Sequence, residues 1–384
     1  MAIRPGGDGS QANPYVIDNS DGLAWSNFTA LNNNSDNKAK YLRFADVHVD
    51  ENGNFDISGT GTSADPYIVS TYREMLNCTG ASNIHQCKMI AKDDTTREIT
   101  YRYDYEDPET HAVTSKYCRY NPVPTTIDWN DISEGSRSTI YVIMHCDFNG
   151  WTLLNFRISA GDSGQWCGFF TSGRVSSDQA DVYNGFFLNT QIDCSTTGYA
   201  SLFNANMHDN IMHLDVISAT SSHSVGFCYS ASYGHGFSRN SLTLKIYGNR
   251  GFSGYNIGEN YEIVDSVIYL DAEFQVYGIP DSDGSKGSIS LIRSTLKGEY
   301  KFVTAGTKSF IRSCTDSIYD VETIPERAAV VPQVGATRCI YNNDKVAWTQ
   351  EYWAEHGWTG VSSEHLLSPS WLQEHTNFPI GVDT

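Results

Sequence analysis

Six short runs of alternating apolar and polar residues recur at near-constant spacing through the middle of this chain. That rhythm limits the possible folds more than any other feature. The runs are 154–158, 188–192, 214–217, 242–246, 266–270 and 294–296. With Leu154, Leu188, Leu214, Leu242, Ile268 and Leu296 taken as equivalent, the steps are 34, 26, 28, 26 and 28 residues. Alternation within each run is two-fold, as expected of a strand with one face on a core. A second series runs in phase through Phe170, Phe203, Cys228, Tyr255, Tyr277 and Phe302, with steps of 33, 25, 27, 22 and 25.

Two interleaved series with one period predict rungs stacked along a common axis. No single rung can bury its apolar face alone, so equivalent positions pile up at about 4.8 Å. The expectation is an all-β chain: a right-handed parallel β-helix (solenoid), with Leu188, Leu214 and Leu242 above one another. Asn155 and Asn189, with Asn240 and Asp265 near the same place, are expected to form side-chain ladders at the turns. A β-propeller blade needs a longer repeat of about 40 residues. A β-sandwich needs turns of the Asn-Gly kind joining antiparallel strands, whereas Asn149-Gly150 and Asn184-Gly185 precede strands inside the repeat.

Two glycine-rich openings also resemble each other. Gly7-Asp8-Gly9-Ser10 leads to Asn13-Pro14-Tyr15-Val16-Ile17, and Gly59-Thr60-Gly61-Thr62 leads to Asp65-Pro66-Tyr67-Ile68-Val69, an offset of 52 residues. Each predicts a turn, a short strand and then a helix, over 21–31 and 71–76. The expected division is an opening module over 1–58, a second opening or capping module over 59–135, the β-helix over 136–323, and a C-terminal cap, oligomerisation or docking module over 324–384. The repeat fades after about Thr323. The tail holds Trp348, Trp353, Trp358 and Trp371, with Ser368-Pro369 as a helix start.

The unit Gly168-Phe169-Phe170, a polar turn, then Asn189-Thr190-Gln191-Ile192 resembles the GLUG-type repeat and the broader pectate-lyase-like right-handed β-helix. The phrase from Gly59 to Val69 resembles the start of many such proteins, where it introduces a capping helix. The resemblance covers roughly residues 6 to 320. It implies the fold but no single function, since lyases, glycosidases, adhesins and phage tail proteins share it. The basic residues and paired carboxylates typical of the lyases are not found, so their activity is not carried over.

Composition narrows the partners. The chain has 384 residues, with 26 Lys and Arg against 45 Asp and Glu, a formal charge of −19. So acidic a chain is a poor match for nucleic-acid phosphates or an anionic membrane surface. Its 40% hydrophobic content, with 23 Tyr and 17 Phe, suffices for a core. No run of 18 apolar residues predicts a membrane helix. The opening Met1-Ala2-Ile3-Arg4-Pro5 carries no leader-like apolar stretch. None of the nine cysteines forms a C-x-x-C pair. Cys146, Cys167, Cys194 and Cys228 read as buried small hydrophobes. A disulfide is expected, if anywhere, among Cys78, Cys87 and Cys118.

Candidate chemistry is sparse. Glycan hydrolysis needs two carboxylates at a set separation. Asp193, Asp215 and Asp271 follow equivalent strands, with Glu273 beside the last, but a solvated acidic surface explains them. The segments 281–284 and 50–54 begin like calcium loops yet lack the twelfth-position Glu. His145, His208, His213, His223 and His235 show no metal spacing, and Gly161-Asp162-Ser163-Gly164 lacks the partners of a serine nucleophile. Trp151, Trp166, Tyr183, Tyr199, Tyr229, Tyr233 and Tyr247 fall near turns and suit a glycan groove. The catalytic and metal sets are therefore expected to be empty, with no cofactor, and the glycan-binding residues stay unassigned.

An extracellular type of fold without a leader points to a structural phage virion protein: a fibre, spike or decoration protein. Its expected role is adhesion to a host-surface glycan or reinforcement of the particle. It is expected in the virion, self-associated as a homotrimer and in contact with other virion proteins, with no nucleic acid and no membrane insertion. The alternatives are a bacterial surface or secreted GLUG-type adhesin and a polysaccharide depolymerase, a lyase or glycoside hydrolase.

Overall fold

The structure, a computed structural model, describes residues 6–18, 23–45, 57–69, 72–81, 87–93, 98–120, 126–132, 137–159, 167–171, 180–194, 200–217, 225–226, 236–247, 252–253, 261–272, 289–302, 311–323, 336–345, 354–355, 357–366 and 371. The chain is all-β, dominated by long parallel sheets. Among the described residues only three short α-helices occur: α1 (Ala24–Asn32), α2 (Tyr72–Thr79) and α3 (Ser363–Leu366).

One sheet has ten strands and is parallel throughout. In spatial order they are Tyr15–Ile17, Tyr41–Phe44, His145–Asp147, Asp181–Tyr183, Asn206–His208, Phe237–Ser238, Tyr261–Val264, Ile289–Ile292, Ile311–Thr315 and Ala336–Thr337, which is also their order in the sequence. A second, eleven-stranded sheet is likewise parallel and sequential, running from Thr126–Asp128 and Thr152–Leu154 to Cys339–Asn342 and Trp358–Val361. From His145 onward the chain alternates between the two, adding a strand to one and then to the other. Two three-stranded parallel sheets lie between them in sequence. One is Ile140–Tyr141, Phe170–Thr171 and Phe203–Asn204; the other is Ala200–Ser201, Val225–Gly226 and Phe252–Ser253.

Strict register puts like on like. In the ten-stranded sheet one inward column reads Leu42, Cys146, Val182, Met207, Phe237, Ile263, Leu291 and Cys314. In the eleven-stranded sheet it reads Ile127, Leu153, Phe187, Met212, Leu242, Ile268, Leu296, Tyr319 and Tyr341. These columns belong to one apolar cluster that runs from Ile17 and Trp25 to Tyr341 and Trp358. α1 closes one side of it, with Trp25 against Trp129 and Phe156, and Phe28 among Phe44 and Phe148.

The spacing of the sequence repeat holds, but its register needs correction. Leu242, Ile268 and Leu296 do pair in succession. Leu214, however, pairs with Leu244, and it is Met212 that meets Leu242. Leu188 pairs with Leu154 but falls at an irregularity between Phe187 and Thr190, so it meets neither. Leu188, Leu154, Phe186 and Ile211 instead join a separate cluster with Val69, Met75 and Tyr120. The cause is the two-residue period: Met212, Leu214 and Val216 all face inward, so a shift of two keeps the pattern. Phe170 and Phe203 are paired as expected. Phe302 instead ends the strand Thr295–Phe302 and pairs with Thr323. Cys228, Tyr255 and Tyr277 lie outside the described residues.

The two glycine-rich openings fold alike. Gly7 and Gly59 have φ of 93° and 94°, and an added Cβ would run into the carbonyls of Pro14 and Pro66. Only glycine suits such a position. The bridges Gly6–Val16 and Ser58–Ile68 then close equivalent loops. Their destinations differ. Tyr15–Ile17 starts the ten-stranded sheet, whereas Tyr67–Val69 pairs with Val113–Tyr120 of a four-stranded sheet whose other strands, Glu98–Glu106 and Cys87–Asp93, run antiparallel. That small sheet and α2 cover the outer side of the eleven-stranded sheet near Phe186.

Past Thr323 the ladder continues. Ala336–Thr337 extends the ten-stranded sheet, and Cys339–Asn342 and Trp358–Val361 extend the other. Trp358 is buried, and Trp371 stacks on His365 of α3. Ser368, Pro369, Trp348 and Trp353 lie outside the described residues. The cysteines expected to be cross-linked, Cys78, Cys87 and Cys118, are free thiols.

Candidate functional site: the outer face of the ten-stranded sheet

Strand alternation decides what this face carries. Leu42, Cys146, Val182 and Met207 point inward, so their neighbours Tyr41, Arg43, His145, Asp147, Asp181, Tyr183, Asn206 and His208 point out. Tyr41 stacks on His145, ring centroids 4.5 Å apart, and Tyr183 stacks on His208 at 4.6 Å. His145 Nδ1 is hydrogen-bonded to Asp181 Oδ2 at 2.6 Å. The other Asp181 oxygen accepts from Asn206 Nδ2 at 2.8 Å, and Asn206 Oδ1 accepts the Gly236 N–H. One strand on, His208 Nδ1 lies 2.7 Å from Asp209 Oδ2, and Arg239 grips both Asp209 oxygens at 2.7 Å.

These contacts set the charge state of the face. Burial alone would raise the Asp181 carboxyl, but the hydrogen bonds from His145 and Asn206 and the charges of His145 and His208 together hold it below the usual range. Asp209 is lowered in the same way, burial being outweighed by His208 and Arg239. Burial, followed by the charges of Asp147 and Asp181, pushes the Tyr183 phenol up, so it stays a neutral donor. The face therefore offers half-buried aromatic rings, amides and firmly ionised carboxylates whose oxygens are already engaged. It can accept hydrogen bonds and present rings; Asp181 and Asp209 are held rather than poised to transfer protons.

Beside this face runs a ladder that the sequence reading did not find. Each ten-stranded-sheet strand ends in a residue of positive φ: Asn184, Asp209, Arg239, Asp265, Arg293, Asp316 and Arg338 in succession. Asp209–Arg239, Asp265–Arg293 and Asp316–Arg338 are two-point ion pairs. Just inside, Asn210, Asn240, Ser266, Ser294 and Ser317 form a buried polar file, each accepting the backbone N–H of the residue one passage earlier. The signal was present as Asp209-Asn210, Arg239-Asn240, Asp265-Ser266, Arg293-Ser294, Asp316-Ser317 and Arg338-Cys339, an alternating-sign pair before every strand.

The expected asparagine ladder divides accordingly. Asn189 donates to Asn155 at 2.6 Å and Asn155 to Asp128 at 2.9 Å, both asparagines with positive φ. Asn240 belongs to the other corner, and Asp265 to the ion-pair ladder beside it.

The remaining candidates scatter. In register, Asp215 lies between Gln191 and Lys245, and Lys245 separates it from Asp271. Asp193 pairs with Ile217, in another column. Trp151 is buried, its indole N–H donating to the Ala45 carbonyl. Tyr247 is exposed, and His213 faces outward opposite Thr243. Glu273, His223, His235, Trp166, Tyr199, Tyr229, Tyr233, the segments 281–284 and 50–54, and residues 161–164 lie outside the described residues. Among the described residues no group of three His, Cys, Asp or Glu could hold a metal ion. No helix there is long and apolar enough to cross a membrane.

Compared with known proteins, the chain matches no family model, and no curated protein or solved structure proved similar to it.

Proposed function

We propose that the chain is a right-handed parallel β-helix that serves as a structural, glycan-contacting protein of a phage virion: a fibre, spike or decoration protein. The observation that carries this reading is the ten-stranded parallel sheet whose spatial order is the sequence order. Connections between parallel strands of one sheet are right-handed in about 98% of cases. A stack built this way grows by repetition and suits a stiff, extended particle component. The rings and polar groups of Tyr41, His145, Asp181, Tyr183, Asn206 and His208 favour a saccharide as the contact, since sugars offer C–H faces to rings and hydroxyls to carboxylates and amides.

Light scattering with small-angle X-ray scattering tests the assembly: a rod with the mass of three chains is expected, and a compact monomer would overturn the virion reading. Retention on immobilised host-surface glycans, weakened at least tenfold in Tyr183→Ala with unchanged melting, tests the face. Polysaccharide cleavage is the second reading. Its one favouring observation is that Asp271 and Glu299 are register partners on adjacent strands. Release of reducing ends or of an unsaturated uronate would support it over adhesion.

A further inference from the structure

We propose that Cys167 and Cys194 are the two halves of an internal cross-link, a disulfide that braces successive passages of the chain against each other. Their sulfurs lie 2.8 Å apart, about 0.8 Å beyond a bonded pair at ~2.05 Å. Both residues are buried, at 0% and 2% exposure. Cys194 is pinned from behind, its backbone N–H donating to the Ile217 carbonyl at 2.8 Å, so its thiol is fixed on the side where Cys167 sits. The partner also contacts that strand end, Cys167 Sγ lying 3.8 Å from the Asp193 carbonyl. The pair closes a loop of 27 residues, long enough for a cross-link to restrict the unfolded chain strongly. This inference does not depend on the virion reading.

The oxidant is a peroxide or a low-molecular-weight disulfide. With hydrogen peroxide, one sulfur is oxidised to a sulfenic acid as the first water leaves. The second sulfur then attacks it, the S–S bond forms and the second water departs. Two thiols lose two electrons and two protons, and the peroxide takes them up. The contact to Cys167 and burial both raise the Cys194 thiol, so oxidation of the folded chain is slow and oxidation during folding is the faster route.

The test uses the full chain, purified reduced. One portion is treated folded with hydrogen peroxide; another is refolded with oxidised and reduced glutathione. Both are alkylated in denaturant, digested without reduction and analysed by mass spectrometry. A peptide pair joined through Cys167 and Cys194 is expected in the refolded arm at least. Melting should rise by about 5 °C, with dithiothreitol reversing the gain. Both cysteines recovered alkylated in both arms would overturn the proposal, as would their linkage only to other cysteines. A link that leaves melting unchanged would overturn the bracing role. Because the decisive readout is on the natural sequence, it stands even if Cys194→Ser fails to fold.

Discussion

Arg293 holds Asp265 through two hydrogen bonds, Nε to Oδ1 at 2.6 Å and Nη2 to Oδ2 at 2.8 Å, while both residues keep positive φ, at 45° and 49°. A left-handed backbone costs an L-residue roughly 1–2 kcal/mol. Here the strain is offset by neighbours in the same conformation. The Asp265 N–H donates to Ile292, and the Arg293 N–H donates to Thr315. The corner is a set of strained residues that stabilise one another only because they are stacked.

Breaking that pair should cost little by itself. Arg293 is two-fifths exposed, so screening leaves the interaction about 1 kcal/mol. A double-mutant cycle with Asp265→Asn and Arg293→Gln, read by urea unfolding, should return a coupling of that size that shrinks in high salt. A coupling near zero at low salt would mean that the backbone stack alone holds the corner.

The buried file behind it should matter more. Asn240 is fully buried, accepts from the Asn210 backbone N–H and side chain at 3.0 Å, and donates to the Met207 carbonyl at 2.9 Å. Asn240→Ala leaves these groups orphaned and should cost about 3 kcal/mol. Asn240→Ser, which imitates Ser266 one passage on, should cost about half as much. Equal losses for the two variants, at constant m-value, would count against this account.

Acid should loosen the outer face through Asp181. Its folded carboxyl lies below the unfolded value of about 3.9, so the stability it contributes is fully present above that pH. It is lost as pH falls from about 4 through the lowered folded value. Asp181→Asn should thus be less stable than the natural chain at pH 7, with the gap closing at the acid end. Melting curves across that window check the sign.

Gly59→Ala and Gly7→Ala should each destabilise by about 3 kcal/mol, from positive φ and the clash with a proline carbonyl. The two need not fail alike. Gly7 supports the start of the ten-stranded sheet, so its loss should lower the main melting transition. Gly59 supports the four-stranded sheet, so its loss should first increase hydrogen exchange over 98–120.

Much of this architecture could be read from the residues. The step of roughly 26 between Leu214, Leu242, Ile268 and Leu296 announces repeated strands, since only repetition lets such short strands bury an apolar face. Gly7 and Gly59 announce the same turn twice, because their prolines and glycines act through local backbone sterics. The site was less legible. His145 and Asp181 lie 36 residues apart, and His208 meets Tyr183 across another strand. Nothing local marks those pairings, and the alternating Asp209-Asn210, Arg239-Asn240 pattern gains its meaning only when stacked.

The amino-acid order alone determined period, strand character and the two turns, since these follow from neighbours within a few residues. Tertiary structure alone decided the register, because a two-residue slip leaves Met212, Leu214 and Val216 equally apolar and equally inward. It also decided that Leu188 turns toward Val69 and Tyr120, that Asp209 meets Arg239, and that Cys167 meets Cys194. Each is a contact between passages of chain, and its energy exists only once the passages lie side by side.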